Sequence, residues 1–155
     1  MDYTTTSTQL EEYAKELKLP LIQVVSKDEL NGPVLVGSYI INMEDSDKGN
    51  GTHWVLLKVC PNKEVIYFDS FGLPVPRQIR EFIKRKIAWS NREIQHVNAS
   101  TCGLYALACD HYLTYQRRRD IYERFDDFLN MFKVDTKKND EILLRYLHIN
   151  GFKRL

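Results

Sequence analysis

Residues Gln95–Leu113 read QHVNASTCGLYALACDHYL, polar at the start and almost wholly apolar from Cys102 onward. The polar part carries Asn98, Ser100 and Thr101, residue types that cap helices. The continuation CGLYALACDHYLTYQ is apolar nearly all round, as expected of a helix buried in the middle of a domain. The stretch therefore predicts a central helix opening at Cys102 or just before it, with the other elements packed around it.

Upstream, HWVLLKVC and EVIYFD read as two strands of a hairpin joined by the short turn Pro61-Asn62-Lys63. That loop length places Val55 opposite Asp69 and makes His53 and Asp69 diagonal neighbours on one face. The alternation agrees: Val55, Leu57, Val59, Val65 and Tyr67 fall on the face of His53 and Asp69, and Lys58 and Glu64 on the other. Further out, TQLEEYAKELK spaces Leu10, Tyr13, Ala14 and Leu17 as an amphipathic helix that stops before Pro20. VLVGSYIINM contains a buried strand at Tyr39, Ile40 and Ile41, followed by a polar loop, EDSDKGNGT. VPRQIREFIKRKIAW predicts a helix with Ile79, Phe82, Ile83 and Ile87 on one side, and REIQHV a short strand. RDIYERFDDFLNMF and NDEILLRYLHI predict two closing amphipathic helices. The sum is α+β, a small antiparallel sheet packed with helices.

Size and composition bound the rest. A chain of 155 residues fits one domain, residues 1–155, with a genuine core. With 43% hydrophobic and 28% charged residues it is of the ordinary globular type. Twenty-two Lys and Arg against 21 Asp and Glu leave a formal net charge of +1, so no global field draws it to nucleic acid or membrane. No signal peptide or apolar span is legible, which predicts an intracellular protein with no membrane partner. Cys60, Cys102 and Cys109 are odd in number and not at metal-finger spacing. Seven residues of one helix would hold Cys102 and Cys109 roughly 10 Å apart, beyond the ~7 Å Cα limit of a disulfide. Free thiols are expected, and no metal site.

Packing is the ordinary role of a free cysteine, and Cys60 and Cys109 keep it. Cys102 differs because a helix start stabilises a thiolate through its amide N–H groups and dipole. Gly103 beside it would leave room for a substrate backbone. A thiolate nucleophile usually needs an imidazole. His96, His111 and His148 read as structural or surface side chains, whereas His53 opens a buried strand and shares a face with Asp69, which could fix its tautomer. Without Cys102, Asp69 would read as a cap on the turn into SFG. Gln95, seven residues before Cys102, could aim its amide where the Cys102 N–H points, and two such donors make an oxyanion hole.

In the order GTHW, YFDSFG and Q-x6-C-G, these segments resemble the adenovirus-type cysteine proteases, or adenains, of the superfamily that also contains the SUMO-deconjugating proteases. The wording GTHWV and YFDSFGLP is nearer to the virophage and Polinton maturation proteases; adenovirus enzymes commonly carry glutamate where Asp69 stands. The resemblance covers about half the chain, from Gly37 to Leu113. It implies a permuted papain-like fold, with His53 as general base, Asp69 as its orienting acid, Cys102 as nucleophile, Gln95 as oxyanion donor and Trp54 packed beside the site. It further implies a peptide-bond hydrolase that processes viral capsid or structural precursors during virion maturation, acts in host cytoplasm or virus factory, and is packaged in the virion.

Two other readings stand beside this one. The same chemistry would serve removal of a SUMO-type modifier. A noncatalytic, nucleic-acid-binding module is suggested by Arg77, Arg80, Lys84, Arg85 and Lys86, and by Arg117, Arg118 and Arg119, although solvated basic faces are common. The family uses DNA as a cofactor, and the adenovirus enzyme an activating peptide; the residues themselves require neither. A monomer is favoured.

Overall fold

The computed structural model describes residues 2–20, 22–44, 53–116 and 120–153. The predicted polar loop therefore lies outside the described residues beyond Glu44. Helix α1 (Ser7–Glu16) opens with a reciprocal cap in which Thr6 Oγ1 accepts from Gln9 N–H and Gln9 Oε1 accepts from Thr6 N–H. Strands β1 (Ile22–Ser26), β2 (Gly37–Asn42), β3 (Trp54–Val59), β4 (Val65–Phe68) and β5 (Ala88–Trp89) form one sheet in that spatial order. Helix α2 (Arg77–Ile83) lies between β4 and β5 in the chain, and α3 (Cys102–Tyr115), α4 (Ile121–Leu129) and α5 (Asn139–Ile149) follow. The fold is α+β, with β2, β3 and β4 antiparallel and the outer strands β1 and β5 parallel to their neighbours.

The register of the β3–β4 hairpin is the expected one. Val59 pairs with Val65, Leu57 with Tyr67 and Leu56 with Phe68, which carried one pair further puts Val55 opposite Asp69. Both faces of the sheet are covered. Ile40, Trp54, Leu56, Ile66 and Phe68 pack with α3 and the helices around it, while Tyr39, Ile41, Val55, Leu57 and Tyr67 pack on Ile79 and Ile83 of α2. Helix α3 is the central rod: eleven of its fourteen residues are buried. Lys58 points to its side of the sheet, where Lys58 Nζ and Ser38 Oγ donate to Oδ1 of the fully buried Asp110 at 2.8 and 2.6 Å. An unpaired carboxylate there would be prohibitively costly, so the pair pins α3 to β2 and β3.

Two expectations need correction. The helix expected over 75–89 ends at Ile83, because Lys84 turns left-handed (φ 56°, ψ 31°) and the chain beyond returns as β5 along β4. The apolar run Ile87-Ala88-Trp89 fits either period, and the open edge of β4 decides it. REIQHV is not a strand, since β5 already occupies that edge; Ile94 and Gln95 instead donate both N–H groups to Ser70 O at 2.9 and 3.1 Å. The sheet also contains β1, formed by IQVVS, which the pattern of the sequence did not announce.

Candidate active site

His53 directly precedes β3, Asp69 directly follows β4, and Cys102 is the first residue of α3. By alternation His53 and Asp69 belong to the α2 face of the sheet, while α3 packs on the other. The three can meet only because each sits at the end of its element.

His53 Nε2 and Asp69 Oδ1 are 3.0 Å apart, and Asp69 is buried. The same oxygen accepts the Phe71 N–H at 2.8 Å, so the carboxylate is fixed by its own turn. An ionised carboxylate only accepts, which puts the imidazole proton on Nε2 and leaves Nδ1 as the basic nitrogen. Nδ1 is buried and has no hydrogen bond of normal geometry, yet the Cys102 thiol lies near enough to act on the ring. Burial alone would push the His53 pKa down. The hydrogen bond to Asp69, the interaction with Cys102 and the negative charge of both outweigh it and raise the pKa to about 9. Phe71 stacks on the imidazole, ring centres 5.1 Å apart and planes 28° from parallel.

Cys102 is buried, and Trp54 N–H donates to its Sγ at 3.4 Å. That donor, added to the start of α3, faces any negative charge that develops on sulfur. The other two thiols have no such setting. Burial pushes the Cys60 thiol up and the wholly enclosed Cys109 thiol well up, and none of the three cysteines is in a disulfide.

Gln95 is 1% exposed and sits at a bend just before the turn at Val97 and Asn98. Its Oε1 accepts from Ser70 Oγ at 2.5 Å and its Nε2 donates to Ala99 O at 2.9 Å. The loop from Gln95 to Cys102 is held from α5. Asn139 donates to Ile94 O and Lys133 O, both at 2.9 Å, and Asp140 Oδ1 accepts from Thr101 Oγ1 at 2.9 Å and Tyr105 OH at 3.2 Å.

The space beside Gly103 is not held open for a substrate. A Cβ there would stand 2.4 Å from Thr5 Oγ1 and 3.0 Å from Leu10 Cδ2, so the missing side chain admits the N-terminal segment. Trp54 fills the flank of the site, its indole N–H donating to Thr5 O at 3.1 Å. Ser70, Phe71, Asn139 and Asp140 escaped the sequence reading. Only the Asp-Ser-Phe-Gly turn signal could have drawn attention to the first two.

Arg77, Arg80, Lys84, Arg85 and Lys86 are exposed, with Arg77 Nε paired to Glu81 at 2.7 Å, and the helix break at Lys84 divides the set between α2 and the segment after it. Arg117, Arg118 and Arg119 lie outside the described residues. His96 Nδ1 is 3.2 Å from Thr136 Oγ1, and His111 Nδ1 is 2.8 Å from Tyr146 OH. Among the described residues no group of three His, Cys, Asp or Glu is arranged to hold a metal, and no helix is long and apolar enough to cross a membrane.

Fold and site together define an α+β domain with a thiol at the mouth of a buried helix and a His–Asp pair at the adjoining end of its sheet. No protein-family model matches the sequence, and no curated protein matches it. Among solved structures, the chain is similar to the central domain of the uncharacterized Lpg1148 protein from Legionella pneumophila, at a TM-score of 0.52 and 11% identity over 97% of both chains, a likeness of fold. It also resembles the ASFV pS273R protease at a TM-score of 0.48 and 18% identity, over 76% of this chain and 44% of that one.

Proposed function

We propose that the protein is a cysteine endopeptidase of the permuted papain-like type. The observation that carries the reading is the Asp69–His53 hydrogen bond, at 3.0 Å, beside a thiol that takes the Trp54 N–H at the head of α3. His53 Nδ1 takes the proton of Cys102 Sγ, and the thiolate adds to the substrate carbonyl carbon. The resulting oxyanion is held by a Gln95 Nε2–H and the Cys102 N–H. The tetrahedral adduct collapses as the C–N bond breaks, and His53 returns its proton to the leaving amine. Water then gives a proton to His53 and its oxygen to the thioester carbonyl, releasing the acid and the thiol.

The substrates we propose are viral capsid or structural precursors, cut after small residues such as glycine in an extended chain. The test is incubation with a capsid precursor and with a SUMO conjugate. Cleavage of the precursor, lost in Cys102→Ala with the fold intact, is the expected result; cleavage of the conjugate alone would reassign the enzyme to modifier removal. Iodoacetamide should label Cys102 ahead of Cys60 and Cys109, and preferential labelling of Cys60 would sink the assignment. Repeating the assay with DNA across a salt series tests the cations of the α2 segment, because a DNA cofactor makes activity fall steeply with salt.

A further inference from the structure

The turn after β4 does more than deliver Asp69. Asp69 holds His53 and Phe71 stacks on it, but Ser70 between them turns the other way, to Gln95. Ser70 is 1% exposed, its hydroxyl donates to Gln95 Oε1 at 2.5 Å, and its carbonyl receives the N–H groups of Ile94 and Gln95. At the other end of the amide stands Ala99 O, 2.9 Å from Nε2. A carbonyl oxygen can only accept, so the nitrogen end of the amide must face Ala99 and the oxygen end must face Ser70. Reversed, two oxygens would meet with no proton between them. Gln95 is as deeply buried as Ser70, so little water can relieve a wrong orientation. Of the two Nε2 hydrogens Ala99 uses one, and the other has no acceptor among the described residues.

We propose that Ser70 is a positioning residue that locks the Gln95 amide with its second N–H presented to the developing oxyanion. The proposal rests on the cysteine-protease reading. Ser70 touches no reacting atom; Ala99 O selects the orientation of the Gln95 amide, and the Ser70 hydroxyl holds it there by supplying the proton that the buried Oε1 accepts. Without its hydroxyl, Gln95 Oε1 is left buried and unpaired, and the amide gains a reason to turn away.

Alkylation separates this role from a general loosening of the site. Iodoacetamide reacts with sulfur by direct displacement and builds no oxyanion, whereas ester hydrolysis needs one. With p-nitrophenyl acetate as the probe, Ser70→Ala should lower Cys102-dependent kcat by about 100-fold, the scale of a lost oxyanion donor, with KM little changed. Its Cys102 alkylation rate should stay within about threefold of the parent, well short of the loss of a donor. Gln95→Ala should show the same pattern, and the double variant should lose little more than either alone. A parallel fall in alkylation, an unchanged kcat or additive losses would overturn the proposal. If Ser70→Ala does not fold, the unmodified protein carries the test. On reaction with a peptide aldehyde, one Gln95 side-chain amide proton should shift in the nitrogen-resolved NMR spectrum, and a shift of both or neither overturns it. A parent protein without Cys102-dependent hydrolysis would overturn the protease reading first, and this inference with it.

Discussion

In the proposed mechanism His53 moves every proton, and its own protonation gives the site a pH signature. Its pKa is raised from 6.5 to about 9, so the stability its pairing contributes is fully present below pH 6.5 and is lost as pH rises through about 9. The same loss removes the proton that the leaving amine needs, and hydrolysis should decline on the alkaline side near pH 9. Asp69→Asn removes the leading favourable influence, so His53 should titrate at lower pH and the alkaline limb of kcat/KM should follow it down. NMR titration of the imidazole beside a pH–rate profile checks both, and a limb that stays in place would mean another group controls it. At this scale the sequence was most informative where chemistry and position coincide. A cysteine opening an apolar helix and a histidine opening a buried strand carry their setting with them, although Thr101 does not cap α3 and gives its hydroxyl to Asp140 instead. Gly103 misled, because its local sequence cannot show which segment, Thr5 and Leu10 or a substrate, will fill the space beside it.

Elements set the distance between these residues, and a helix that contributes none of them carries much of that burden. The first turn of α5 ties down the loop before Cys102 twice, through Asn139 to Ile94 O and through Asp140 to Thr101 and Tyr105. Asp140→Ala would strand the fully buried Thr101 hydroxyl and the Tyr105 hydroxyl, at roughly 1–3 kcal/mol for each unsatisfied donor. Asp140→Asn keeps an accepting oxygen and should recover most of the loss. Urea unfolding of the two variants measures the difference, and equal stabilities would show that these hydrogen bonds contribute nothing. The hairpin was legible because a three-residue loop and strict alternation fix one register, with Val59 facing Val65. The end of α2 was not, because Ile83 and Ile87 keep helical spacing while Lys84 breaks the helix between them; both still reach the same apolar cluster. Periodicity records which side a residue packs on more faithfully than the backbone that brings it there.

Across the whole molecule, the sheet is covered on both faces, and the candidate site lies at one end, where strand and helix termini converge under the N-terminal segment. That segment is joined to the site at three points. Tyr3 N–H donates to Ser100 Oγ at 2.9 Å, Thr5 O accepts the Trp54 indole N–H, and Thr5 Oγ1 occupies the space beside Gly103. Residues almost a hundred positions apart are thus packed as one unit, which gives a clean test of whether the N-terminal segment holds the Cys102 thiol in place. Gly103→Ala puts a methyl group 2.4 Å from Thr5 Oγ1, so the segment must shift, at about 1–3 kcal/mol as for other overpacked sites. Leu10 Cδ2, at 3.0 Å, is the end of a flexible side chain and can yield. Thr5→Gly removes the obstructing hydroxyl and should restore much of the stability of Gly103→Ala while lowering that of the parent. A double-mutant cycle read by unfolding and by Cys102 alkylation follows both consequences. If the segment positions the thiol, alkylation rate and stability should recover together in the double variant. Independent, additive effects would show that Thr5 and Gly103 merely lie side by side.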